Sequence, residues 1–188
     1  MTRGRPLAVN GSAVEPLDEA IDHWRGPATA RLIVEYGDYE CPYSRRAYRE
    51  IERVEHTLAG GVRFAFRHFP LTEIHPHALP GSAAAEAAAM QGRFWEMHDM
   101  LFHRQRALED DDLRRYAAQL GLDSARFESD RHGEAALERI RRDVRSAVAS
   151  GEVLATPTLF IDGVLHGGSY DAETLLSVLT TPRESESS

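Results

Sequence analysis

The amino-acid sequence predicts an α/β fold in which two groups of short strands flank a block of helices. Apolar runs at 31–36 and 62–68 are short and rich in β-branched and aromatic residues, and an amphipathic segment separates them. Residues 77–151 carry helical patterns only, and 158–179 holds two more strand-like segments and one further helical pattern. This order predicts a βαβ unit, an inserted helical block and a closing ββα unit.

The first unit begins with Arg31–Tyr36, whose β-branched apolar residues are typical of a buried strand. From Pro42 to about Ala59, apolar residues recur at the spacing of one helix face, and Gly60-Gly61 ends the helix. Val62–His68 alternates and predicts a second strand. Two strands joined through a helix lie parallel in the same sheet.

The inserted block is predicted to contain four helical regions. They are expected at 78–103, at 110–120, near 124–130 and from about 137 to 150. In the first region the helical period runs on from an alanine-rich stretch to about His103. Glycines that follow the second and fourth regions are typical helix ends.

The closing unit is a hairpin followed by a helix. Thr158–Ile161 and Val164-Leu165 flank Asp162-Gly163, a dipeptide that favours a tight hairpin turn. Asp171 can cap the last helix, which is expected to run to about residue 179. The predicted organisation is an N-terminal arm at 1–25, a core at 26–76 and 152–180, the insertion at 77–151 and a flexible tail at 181–188.

The composition excludes several classes of protein. The chain of 188 residues has 22 arginines, no lysine and a formal net charge of −8, which argues against nucleic acid as a partner. It contains no apolar run of the roughly 18 residues that a membrane helix needs, so no membrane partner is expected. A single cysteine excludes an internal disulfide and a cysteine-rich zinc site. The absence of a secretory signal and the lone cysteine together predict a cytoplasmic protein.

The lone cysteine lies at a position suited to thiol chemistry. Cys41 falls between the first strand and the first helix, and Pro42 is favoured at the first helical position. The N–H groups and dipole of a helix N-terminus stabilise an anion, so we expect an easily ionised thiol. Thiolates attack disulfides and peroxides. Ser44 lies one turn further on, where its hydroxyl can donate to the thiolate or cap the helix.

Two segments resemble a known family. Val34–Ser44 resembles the active-site segment of the DsbA-like branch of the thioredoxin superfamily, and Ala155–Gly163 is similar to its second signature. These proteins are thiol–disulfide oxidoreductases whose thioredoxin-like core carries an inserted helical subdomain. The likeness covers about residues 22–180 and extends in particular to the thioredoxin-like domain that trails some bacterial sodium/proton antiporters. The other parts of the sequence that resemble this branch are Tyr36, His68–Leu71, His75–His77 and Gln91–His98.

The resemblance implies roles for individual residues. Cys41 matches the nucleophile, and Pro157 matches a cis-proline that, with Thr156, shapes the loop that pairs with the substrate backbone. Glu35 matches a buried acid that relays protons to a resolving thiol in the family. The remaining residues expected to line the substrate groove are Tyr36, Pro42, Tyr43 and Ser44.

Ser44 departs from the family pattern, which usually has a second cysteine there. The chain therefore cannot close a Cys-x-x-Cys disulfide. A monothiol can still attack a mixed disulfide, accept a small cellular thiol or oxidise to sulfenic acid, and each route needs an external thiol for its resolution.

The leading hypothesis is accordingly a monothiol oxidoreductase that acts through Cys41 on mixed disulfides of proteins or small thiols. No cofactor is expected, although a low-molecular-weight thiol can serve as co-substrate. No metal site is expected either, because His75 and His77 supply only two ligands. Two alternatives stay open. One is an enzyme like the kappa-type glutathione transferases, which use a serine near the position that Cys41 holds here, and the other is a redox-inactive peptide-binding module.

Overall fold

A mixed five-stranded sheet forms the centre of the structure. A computed structural model describes residues 14–182, so residues 1–13 of the predicted arm and most of the predicted tail lie outside the described part. The strands are β1 (His23–Arg25), β2 (Arg31–Gly37), β3 (Val62–His68), β4 (Thr158–Ile161) and β5 (Val164–Leu165). They lie in the order β1-β3-β2-β4-β5.

The βαβ unit is formed as the sequence predicts. Helix α1 (Pro42–Thr57) joins β2 to β3, and the two strands are parallel, with Arg31 opposite Val62 and Gly37 opposite His68. Strand β4 runs antiparallel to β2 on its other side and continues through a tight turn into β5. The α/β fold with an inserted helical region is therefore confirmed.

The insertion contains five helices where four regions were predicted. They are α2 (Ala78–Ala89), α3 (Phe94–His103), α4 (Asp110–Gln119), α5 (Ser124–Arg131) and α6 (Glu134–Ser150), and α7 (Ala172–Thr180) closes the chain. The region predicted to be continuous from 78 to 103 is broken, because Gly92 adopts φ +73° and ends the run before α3 begins. None of the helices within residues 14–182 has the length and apolar character to cross a membrane.

The core boundary predicted at residue 26 is corrected by the structure. Strand β1 pairs with β3 as the edge of the sheet, with Trp24 opposite Ala65. Just before it, the Asp22 carboxylate receives two hydrogen bonds from the Arg67 guanidinium, at 2.8 and 3.2 Å, and both side chains are wholly buried. Arg67 also donates to the backbone oxygens of Glu15 and Pro16. The segment from Val14 to Arg25 thus belongs to the core.

Both faces of β2 are covered. Ile33 packs on the side of α1 and α3, whereas Val34 and Tyr36 pack on the side that holds Val153 and Phe160. Alternate residues of a strand point to opposite faces, so Glu35 shares the face of Ile33. The ionisable side chain of Glu35 is consequently surrounded by core residues.

Candidate functional site

The candidate site is centred on Cys41, the residue that caps α1. Cys41 has extended backbone angles (φ −71°, ψ 122°), and Pro42 begins the helix. The Asp38 carboxylate holds this junction, since its Oδ1 accepts the backbone N–H groups of Glu40 at 2.8 Å and of Cys41 at 3.2 Å. The cysteine side chain therefore sits at the positive end of the helix dipole.

The loop before β4 covers the thiol. The Thr156–Pro157 peptide bond is cis, and the Cys41 thiol donates a hydrogen bond to the backbone oxygen of Thr156 at 3.3 Å. The fold thus brings into contact two segments that are 115 residues apart in the sequence. Cys41 is only 3% exposed, and the hydroxyl of Thr156 is buried with no hydrogen-bond partner.

Exposed apolar residues flank the covered thiol. Tyr43, two residues after Cys41, is 63% exposed, and Pro42 is also exposed. On the facing loop, Leu154 is 86% exposed, two residues before Thr156. Exposed apolar side chains of this size are suited to contact with a partner molecule.

Ser44 is fully buried, and its hydroxyl makes no hydrogen bond to the Cys41 thiol. Its hydroxyl oxygen accepts the backbone N–H of Asp38 at 3.2 Å, and it makes no capping hydrogen bond to α1. Ser44 therefore fixes the turn between β2 and α1. Neither hydrogen bond predicted for its hydroxyl, to the Cys41 sulfur or to the backbone at the start of α1, is present.

Tyr36 does not line a groove, and that prediction is corrected. Its side chain is fully buried, and its hydroxyl lies 2.6 Å from Ser146 Oγ and accepts a hydrogen bond from Arg67 at 2.9 Å. The reason is the strand period, because Tyr36 points to the face opposite Glu35.

Glu35 is buried beneath the site with no hydrogen-bond partner for either carboxylate oxygen. Burial favours the neutral acid and raises the pKa of Glu35 to about 8. Gly37 makes room for it: a Cβ at that position would lie 2.4 Å from Phe66 Cε2 and 3.0 Å from Glu35 Oε1. Glu35 is thus able to exchange a proton near neutral pH.

His75 and His77 support the loop that carries Cys41, a role that the sequence analysis missed. His75 Nδ1 lies 2.8 Å from Asp38 Oδ2, which also accepts the backbone N–H of Leu71 at 2.9 Å. His77 Nδ1 lies 2.9 Å from Glu40 Oε1, and hydrogen bonding to Glu40 raises the pKa of His77. The sequence signal was the His-Pro-His motif itself, which was considered as a source of metal ligands.

A second buried polar cluster, also missed, lies between β1, β3 and α2. Glu86 Oε1 is 2.7 Å from the Nε2 atoms of both His23 and His68. Burial opposes ionisation of Glu86, but hydrogen bonds from the two imidazoles outweigh it and hold its pKa well below the usual range. Within residues 14–182 these three side chains form the one group with the composition of a metal site.

The surroundings of this cluster favour hydrogen bonding over metal binding. The second ring nitrogen of His68, Nδ1, is buried without a partner. A histidine bound to a metal through Nε2 would carry a proton on Nδ1 and would need an acceptor there. The absence of a metal site stays a prediction.

Similar proteins fall into two groups. A family profile described as thioredoxin matches residues 19–181. Among curated relatives, the Na(+)/H(+) antiporter NhaA of Herminiimonas arsenicoxydans is 46% identical over 169 residues, and antiporter NhaA 1 of Mycolicibacterium vanbaalenii is 40% identical over 181. These matches take in 89% and 95% of this chain, which spans only 27% and 29% of the length of the two relatives.

Solved structures share the fold. A thioredoxin-like oxidoreductase from Silicibacter pomeroyi superposes with a TM-score of 0.73 at 24% identity, over 83% of this chain and 88% of that one. BdbD from Bacillus subtilis superposes with a TM-score of 0.75 at 18% identity, over 90% and 97%. Wolbachia pipientis alpha-DsbA1 gives 0.72 at 21% identity, over 87% and 90%. The chain therefore belongs to the thioredoxin family, shares the fold of the solved DsbA structures, and is homologous to one region of the NhaA antiporters.

Proposed function

We propose that this protein is a thiol–disulfide oxidoreductase that acts as a monothiol, through Cys41, on mixed disulfides of proteins or small thiols. One observation carries the proposal. The lone cysteine caps a helix N-terminus with its sulfur 3.3 Å from the Thr156 backbone oxygen, next to Pro157. A thiol in such a place is stabilised as the thiolate by the helix dipole.

The chemistry that this geometry supports is a single exchange. The Cys41 thiolate attacks one sulfur of a disulfide, the old S–S bond breaks, and the released thiolate takes the electron pair. The product is a mixed disulfide on Cys41. Because Ser44 stands where a resolving thiol would be, a second, external thiol must release the product.

The hydrogen bond between the Cys41 thiol and the Thr156 backbone oxygen must break before the thiol reacts. Cys41 donates to Thr156, so ionisation removes that hydrogen bond and frees the carbonyl to accept from another donor. An extended substrate backbone can supply an N–H donor at this position. Binding at the loop and activation of the thiol are thereby coupled in the proposed mechanism.

The proposed setting follows from the same features. We propose no cofactor beyond a low-molecular-weight thiol as co-substrate, no nucleic-acid or membrane partner, and a cytoplasmic location in keeping with the single cysteine.

Trapping of the mixed disulfide tests the proposal. The purified protein is incubated with the disulfide of a small thiol, and mass spectrometry should show one adduct, which the C41S variant should lack. The proposal fails if no adduct forms on the unmodified protein, or if the C41S variant forms the same adduct.

A peptide-binding role without catalysis is a second candidate. The observation that favours it is the exposure of Tyr43 and Leu154 on both sides of a covered thiol. It predicts that the C41A variant binds extended peptides with unchanged affinity, whereas the oxidoreductase proposal predicts loss of covalent capture. The transferase alternative is weaker, because this chain has Cys41 at the leading position where those enzymes use a serine.

A further inference from the structure

A basic cavity opens beside the first turn of α1. It has a volume of about 390 Å³, and we call it the arginine groove. Cavities of this size accept small molecules. The groove is lined by Pro42, Arg45, Arg46, Arg49, Glu50, Arg53, Gln105 and Arg106.

The arginines of this groove differ from those elsewhere in the structure. Fourteen of the nineteen arginines within residues 14–182 have a carboxylate oxygen within 4.0 Å. The five without one in that part of the chain are Arg45, Arg46, Arg49, Arg104 and Arg106. Four of these five line the arginine groove.

The one carboxylate in the groove is already engaged. Glu50 bonds to Arg53 at 3.1 Å and accepts the backbone N–H of Ala172 at 3.0 Å. The other four arginines of the groove have no carboxylate oxygen within 4.0 Å, and burial together with the charges of Arg49 and Arg106 lowers the pKa of Arg45. The chain as a whole has a net charge of −8, so this groove is a basic patch on an acidic protein. A bound anion would relieve the repulsion.

The groove adjoins the nucleophile. Pro42, which lines it, directly follows Cys41 in the chain. Gln105, on the opposite wall, donates hydrogen bonds to the backbone oxygens of Tyr39 and Cys41, both at 2.8 Å. A molecule bound in the groove would lie beside the first turn of the helix that Cys41 caps.

We infer that the arginine groove binds the anionic part of a small disulfide whose sulfur Cys41 attacks, and that the substrate class is a thiol bearing carboxylates. Arginine is suited to this task, since its planar guanidinium binds a carboxylate through two parallel hydrogen bonds. The inference rests on the proposed function and specifies its substrate. In the reaction the Cys41 thiolate displaces one carboxylate-bearing thiolate, whose sulfur takes the electron pair of the broken S–S bond.

Three small disulfides that differ in charge test the inference. They are 3,3′-dithiodipropionate, a dianion; bis(2-hydroxyethyl) disulfide, which is neutral; and cystamine, a dication. The rate constant for adduct formation at Cys41 is divided by that of a free small thiol with the same reagent. We expect the dianion to exceed the neutral disulfide by about tenfold or more, cystamine to react slowest, and salt to reduce the difference.

Variants of the groove provide the second arm. Arg49 and Arg106 are exposed and have no side-chain hydrogen bond or ion pair within residues 14–182, so R49Q/R106Q is expected to fold normally. This variant should lose most of the preference for the dianion. The R104Q variant removes the same kind of charge from an unpaired arginine outside the groove and should retain the preference. R49Q and R106Q are also made singly, and a loss in R104Q as large as that in either single variant would overturn the inference.

Alkylation separates failure of this inference from failure of the proposed function. Iodoacetate and iodoacetamide differ in charge but share a leaving group, and neither requires disulfide exchange. Exchange without charge preference would overturn the groove assignment alone. If Cys41 exchanges with none of the disulfides, the proposed function fails. The rate of alkylation by iodoacetate relative to iodoacetamide then still shows whether the groove binds anions. A larger gain for an acidic-peptide disulfide than for dithiodipropionate would overturn the small-molecule assignment.

Discussion

Replacement of Glu35 by glutamine should stabilise the folded protein, and the gain should increase with pH. Glu35 is fully buried, neither carboxylate oxygen has a hydrogen-bond partner, and burial raises its pKa from 4.5 to about 8. Between these two values the folded state holds a proton that the unfolded state has lost. The contribution that protonated Glu35 makes to stability is therefore fully present below pH 4.5, and it is lost as the pH rises toward 8.

The magnitude follows from the difference between the two pKa values. The shift is about 3.5 units, and one unit corresponds to about 1.4 kcal/mol. The loss in the free energy of unfolding is then about 3 kcal/mol at pH 7, about 4 kcal/mol at pH 8 and about 5 kcal/mol well above pH 8. The E35Q variant cannot ionise at this position and should escape that loss.

Urea unfolding at pH 4.5, 6, 7 and 8.5 provides the measurement. The difference in unfolding free energy between E35Q and the unmodified protein should rise by about 1.4 kcal/mol per pH unit between about pH 5 and 7.5 and should level off above pH 8. The variant E73Q, at an exposed glutamate, serves as the control and should show no such trend. A difference between E35Q and the unmodified protein that does not change with pH would refute the reasoning.

Three further predictions concern the turn between β2 and α1. The D38A variant should lose roughly 2–4 kcal/mol of stability in urea unfolding, because the buried Asp38 carboxylate accepts three backbone N–H groups; a loss below about 1 kcal/mol would contradict this role. The S44C variant should form an internal disulfide with Cys41 under mild oxidant, seen as loss of both free thiols, and two thiols that stay open to alkylation would argue against this geometry. The G37A variant should lower stability by about 1–3 kcal/mol through collision with the Phe66 ring, and an unchanged denaturation midpoint would show that the ring can move away.

The sequence was sufficient to predict the sheet and most helices, because their periodicities are local. The contact between Cys41 and Thr156 could be anticipated only through the two family signatures, since no local pattern joins residues so far apart. The break at Gly92 was missed, because the apolar period of α3 continues that of α2 across the turn.

The polar pairs around the site could not be predicted. His75 with Asp38, and His77 with Glu40, each join positions 37 residues apart, and their pairing depends on where the chain turns after β3. The error at Tyr36 was avoidable. Neighbouring residues of a strand point to opposite faces, so a Glu35 that lies beneath the active site requires Tyr36 to point away from it.

The ion pair between Arg67 and Asp22 has a consequence for dissecting this unit from longer polypeptides. A fragment that starts at residue 26 would keep the guanidinium in the dry interior without its carboxylate. Breaking a buried pair in this way costs about 3–5 kcal/mol, which is a large part of the 5–15 kcal/mol that typically holds a domain folded. An autonomous folding unit should therefore include Asp22, which a boundary at residue 26 leaves out.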